Sequence, residues 1–160
     1  MDNFFGSIYN WFRSFYGDSL NYYLWGYDPN TGDFTNPNIN NHVGLATLVI
    51  SLIIVLVFYY VINHPKFNKW WSWVITLITN SIINFGVGFG VVFSKYTNGL
   101  IPDNLVKQYD IDGNIIAYLI TELDCIGFGV ANIFASALFF FVLSFILKWW
   151  SSNAKHAPFL

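Results

Sequence analysis

Charge is what this sequence has least of. Seven Lys and Arg and nine Asp and Glu make up 10% of 160 residues, whereas a water-soluble domain carries roughly 25%. That is too little charge to cover a water-facing surface, which argues against an ordinary soluble domain. No basic run is present to neutralise a phosphate backbone, so nucleic acid is not an expected partner. A lone cysteine, Cys125, leaves no internal disulfide to form. A Gly-rich phosphate loop, a Cys/His cluster and a nucleophile motif are all missing. His42 stands alone, and a His64–His156 pair has no third ligand for zinc. These absences predict no enzyme, no metal and no cofactor. The opening "MDNFFGS" carries an acid where a signal peptide has its basic region, so no standard secretory signal is expected.

What the chain does have is apolar and aromatic. It is 55% hydrophobic and 21% aromatic, with seven Trp, ten Tyr and seventeen Phe. Trp and Tyr suit the membrane–water boundary, where one end of the ring is apolar and the other wet. A bilayer core of ~30 Å needs ~20 apolar residues in a helix that rises ~1.5 Å per residue. Three uncharged runs meet that length, at 43–62, 70–94 and 126–147. The apolar stretch at 114–120 is too short to cross and is cut off by Glu122 and Asp124. Two acids in lipid would cost ~2.5 kcal/mol or more each, so a fourth span is not expected. The fold class predicted is an all-α membrane protein with three transmembrane helices.

The charges are segregated along this frame. The loop 63–69 and the tail 148–160 hold four lysines and no acid, whereas 1–41 and the loop 95–125 hold all nine acids and three cations. Short Lys-rich loops stay cytoplasmic. The predicted topology is therefore amino terminus outside and carboxyl terminus inside, with the lipid bilayer as first partner and a bacterial inner membrane as location.

Two short repeats fit this topology. Lys69, Trp70, Trp71 and Ser72 recur as Lys148, Trp149, Trp150 and Ser151, and "GFGV" stands at 88–91 and again at 127–130. Lysines that snorkel to headgroups beside interfacial Trp pairs predict both Lys-Trp-Trp-Ser stretches at the cytoplasmic boundary. They read first as anchors and second as a docking surface. In the second span Ser72, Thr76, Asn80, Asn84 and Gly88 recur every four residues, which places them on one helical face, with Gly86 and Gly90 on a face nearby. The third span carries Asn132, Ser136 and Ser144, beside Gly127, Gly129, Ala131 and Ala135; the first adds Thr47 and Ser51. Small residues let helices approach and amides hydrogen-bond between them. An Asn facing hydrocarbon without a partner is costly, so the stripe must face protein or water.

Two readings follow. In the first, the chain is a non-enzymatic membrane protein that oligomerises, or joins other membrane proteins in a larger complex. In the alternative, several copies form a channel or pore lined by Asn80 and Asn84. No ionisable residue lies inside a span, which argues against a proton relay or an ion-coupled transporter.

Outside the spans, Phe4, Ile8, Trp11 and Phe15 form one helical stripe over 3–17, with Phe5, Tyr9, Phe12 and Tyr16 beside it. This predicts an interfacial helix, lying on the outer leaflet or buried against the bundle. "YDPNTGDF" at 27–34 and "YDIDGNIIAY" at 109–118 predict two small extracytoplasmic β-hairpins. Their Asp and Asn residues are those that turns prefer for local reasons, so calcium is not expected. Glu122 and Asp124 suit the positive end of the third helix.

Overall fold

A computed structural model describes residues 4–62 and 69–150. The tail 151–160, the loop residues 63–68 and the side chain of Trp150, to which several of these expectations refer, lie outside the described residues.

Three helices are long and apolar enough to cross a membrane. The first, α3 (Ile39–Leu56), continues through a π-helical turn at Val57–Ile62. The second is α4 (Trp70–Thr97) and the third α6 (Glu122–Leu147), which runs on into a 3₁₀ turn at Lys148–Trp150. Each reaches further than its apolar run because polar residues build its start or end. Asn38 accepts a bond from the amide of Asn41 and opens α3 ahead of Val43. Thr121 and Asp124 open α6 ahead of Ile126: Asp124 Oδ2 accepts from both the amide and the hydroxyl of Thr121, at 2.7 and 2.8 Å.

The centre of the bundle is α6. The buried share of its most apolar stretch is 39%, against 28% for α3 and 17% for α4. The packing of α4 on α6 is antiparallel. Trp73 meets Ser144 at one end, Asn80 meets Ser136 further along, and Gly88 meets Asn132 beyond that. The two "GFGV" stretches face each other there, with Gly129 seated against Phe85 and Phe89.

Ahead of α3 lie two short helices, α1 (Phe4–Asn10) and α2 (Asp18–Trp25), joined through a 3₁₀ turn at Arg13–Phe15. The single helix expected over 3–17 is therefore broken after Asn10. The break lets both aromatic stripes find partners. Phe12 and Phe15 stack on Phe134, while Tyr9 and Tyr16 enclose Phe128. The turn passes so close to α6 that a Cβ on Gly127 would stand 1.9 Å from the carbonyl oxygen of Phe15. Phe5 covers Gly44 of α3 in the same way. The amino-terminal segment is thus packed against the bundle, one of the two placements its sequence left open.

Beyond α4, a single helical turn, α5 (Asp103–Val106), leads into the one two-stranded sheet among the described residues, β1 (Lys107–Tyr109) against β2 (Ile115–Tyr118). Gly113 takes the left-handed conformation its turn needs. The other expected hairpin is a correction: 27–34 is a turn closed by an isolated bridge between Asp28 and Asp33. Asp28 accepts from the backbone and side chain of Asn30, and this local closure replaces a strand ladder. Asp103 ties α5 to the sheet by accepting from Tyr109 and Lys107.

Two predictions follow from this packing. Gly127→Ala must displace backbone and should lower stability by ~1–3 kcal/mol. Gly86→Ala meets open space and should be neutral or stabilising by up to ~1 kcal/mol. Unfolding of the dispersed single-copy protein in detergent reads both. The Tyr109 hydroxyl first, and Lys107 second, hold the Asp103 carboxyl below its ordinary range. A lowered folded-state pKa stabilises above the unfolded value and is lost as pH falls through the folded one. The protection of the β1 and β2 amides, taken as exchange relative to the intrinsic rate at each pH, should therefore fall below pH ~4, and Asp103→Asn should remove that fall.

Candidate functional site

The polar residues of the three spans converge on one seam, and Asn132 is its hub. Its Oδ1 accepts from the Tyr9 hydroxyl at 2.5 Å and the Thr47 hydroxyl at 3.0 Å. Its Nδ2 donates to the Asn84 carbonyl oxygen at 2.6 Å. One carboxamide thus joins the amino-terminal segment, α3, α4 and α6. Asn132 lies ten residues into α6, about 15 Å along a helix that rises ~1.5 Å per residue. This is about half the ~30 Å thickness of a bilayer core.

Toward the other end the seam continues along α4. Asn84 Nδ2 donates to the backbone and side-chain oxygens of Asn80, at 3.0 and 3.1 Å. Asn80 Nδ2 donates to the Ser136 carbonyl oxygen at 3.2 Å. Ser136 returns its hydroxyl to Ile133 of its own helix. Near the end of α6, the Trp73 indole donates to Ser144 at 3.3 Å, while its ring packs on Phe140 and Phe141. Asn80, Asn84, Asn132, Ser136 and Ser144 are all 0% exposed. Among the described residues, Asn84 Oδ1, Ser51 Oγ and both carboxamide atoms of Asn40 are buried without a hydrogen-bond partner in the protein.

The other small and polar positions divide by face. Gly88, Gly127 and Gly129 lie where segments touch. Thr76 is half-buried and returns its hydroxyl to Ser72 of its own helix. Gly86 and Gly90 turn outward, with nothing within 4 Å of an added Cβ. The four-residue stripe and the GxxxG pair thus lie on different sides of α4, one facing α6 and the other unpartnered within one copy.

At the end where Trp73 and Ser144 meet, Lys69, Trp70, Trp71 and Trp149 are exposed. Trp70 and Trp71 pack edge to face at 4.7 Å. The Lys148 ammonium lies 5.0 Å from the Phe145 ring and 5.4 Å from that of Trp149. Trp73, by contrast, is turned inward and joins the seam instead.

The seam consists of amides, hydroxyls and one indole, so it can hold helices together or hydrate, but it has no acid or base suited to proton transfer. Among the described residues no group of three His, Cys, Asp or Glu could hold a metal ion, and Cys125 is a buried free thiol. Sequence reading missed Tyr9 as a seam member. Its place in an aromatic stripe concealed a hydroxyl that a buried Tyr must satisfy. No protein-family model, curated protein or solved structure matches the chain.

Replacing the hub tests these assignments. Asn132→Leu removes three bonds between segments and leaves two hydroxyls and a carbonyl to find partners, at a cost of ~2–3 kcal/mol. Tyr9→Phe should cost less, and a double-mutant cycle between the two should give a coupling of ~0.6–1.7 kcal/mol. Denaturant unfolding in mixed micelles measures all four corners of the cycle.

Proposed function

We propose that this chain is a non-enzymatic integral membrane subunit that assembles with other copies, or with other membrane proteins, through the outward face of α4. The observation that supports this is the division of labour on that helix. Asn80 and Asn84 are buried and hydrogen-bonded inside one copy, while Gly86 and Gly90 stand open among Ile75, Ile78, Ile82 and Ile83, all exposed. In lipid, small residues on an open face let a second helix approach closely enough for van der Waals packing and weak backbone contacts.

The pore reading has less behind it. A path lined by Asn80 and Asn84 needs amides that face water, and both are 0% exposed and bonded within a single copy.

The charge distribution supports placing the amino terminus and the β1–β2 sheet outside a bacterial inner membrane. The exposed Trp70, Trp71 and Trp149 then serve as anchors in the cytoplasmic interface.

The open space around Gly86 and Gly90 makes a clean test possible. Gly86→Leu with Gly90→Leu should leave the single copy folded and fill only the outward face. Native mass spectrometry after mild extraction should show an assembly for the natural chain and its collapse to single copies for the variant. An unchanged assembly would remove α4 from the interface, and a single copy in both would overturn the subunit reading.

A further inference from the structure

At the end of the bundle where α3 begins and α4 ends, a cavity of about 640 Å³ opens between the two helices and the turn that follows α4. This lies within the ~300–1,000 Å³ of pockets that hold small molecules. Val91, Ile39 and Leu100 supply apolar parts of its wall, Lys95 stands one turn beyond Val91 on α4, and His42 of α3 and Asp28 of the 27–34 turn border it as well.

The two charged groups are of opposite sign, and Lys95 takes part in neither ion pair found among the described residues, which join Arg13 to Asp18 and Lys107 to Asp103. The first turn of α3, the positive end of that helix, and Lys95, in the last turn of α4, border the same cavity. A backbone carbonyl can only accept, so His42 Nδ1, 3.1 Å from the Asn38 oxygen, carries the proton, which leaves Nε2 as the ring's remaining polar atom.

We propose that this cavity binds an aminophospholipid. Its phosphate would sit against Lys95 and the start of α3, its primary ammonium against the Asp28 carboxylate, and its glycerol and first acyl carbons along Val91. Three features of the wall select this class. A cation and an acid in one cavity match a headgroup that carries both signs. A primary ammonium can donate hydrogen bonds to a carboxylate, which a quaternary choline cannot. Val91 lies one helical turn from Lys95 toward the middle of α4, on the bilayer side, where acyl chains run. The proposal rests on the three helices spanning a membrane; it is independent of the side assigned to the amino terminus and of assembly through α4.

The test uses the full chain in detergent micelles, titrated with phosphatidylethanolamine, phosphatidylcholine or phosphatidylglycerol of identical acyl chains and read by native mass spectrometry of single copies. Phosphatidylethanolamine should be retained in preference to the other two. Lys95→Gln should weaken its retention about tenfold or more, as loss of a charge-assisted contact to phosphate implies. Asp28→Asn should erase the preference over phosphatidylglycerol. Lys107→Gln, on the β1–β2 sheet, should change nothing, and unfolding midpoints check that every variant is folded. Equal retention of the three lipids would overturn the proposal, as would Lys95→Gln matching the natural chain. Water-soluble glycerophosphoethanolamine should compete weakly; competition as strong as the lipid's own would overturn the acyl part and leave a site for a free headgroup.

Discussion

A single buried carboxamide holds four segments of this protein in register. In hydrocarbon a polar side chain has no water to fall back on, so Asn132 must find partners in protein. It finds them on three sides: Tyr9 from the amino-terminal segment, Thr47 from α3 and the Asn84 backbone from α4. A hydrogen bond within a membrane protein contributes only ~0.6 kcal/mol on average. The value of the hub is therefore geometric more than energetic. Apolar helix faces in lipid can slide and rotate at little cost. A donor and an acceptor that must each meet named partners permit one arrangement.

The small residues serve that geometry. Gly88 gives way to the Asn132 side chain, Gly127 to the backbone of the 3₁₀ turn and Gly44 to Phe5. Around these contacts aromatic rings fill the space, with Phe128 between Tyr9 and Tyr16, and Phe134 under Phe12 and Phe15. The amino-terminal segment is in this way part of the bundle's core. With its place among the helices filled, the open surface left to α4 is the row of isoleucines around Gly86 and Gly90.

Much of this architecture is legible in the sequence. Three apolar runs of spanning length correspond to three helices long and apolar enough to cross a membrane, because hydrophobic length is a strong signal. The four-residue spacing of Asn80, Asn84 and Gly88 marked the face of α4 that meets α6. The Asp-Gly turn marked the β1–β2 sheet. Other features left only weak traces. Tyr9 read as one more aromatic residue, since nothing local says where a hydroxyl will find its acceptor 123 residues away. The break after Asn10 is set by Phe134, Phe128 and Gly127, all on a distant helix. The turn at 27–34 had hairpin composition, but Asp28 and Asn30 satisfy each other locally before a ladder can form. In each case the deciding partner was remote in sequence, or a side chain competed with the backbone.

The measurement closest to the central claim is a side-chain contact between Tyr9 and Asn132 in a bilayer mimic. Isotope-labelled protein in nanodiscs, observed by NMR, should show through-space cross-peaks from the Tyr9 ring to the Asn132 carboxamide protons, with a Tyr9 hydroxyl protected from exchange. A Tyr9 ring with cross-peaks only to lipid and a rapidly exchanging hydroxyl would place the amino-terminal segment on the membrane surface and contradict the account.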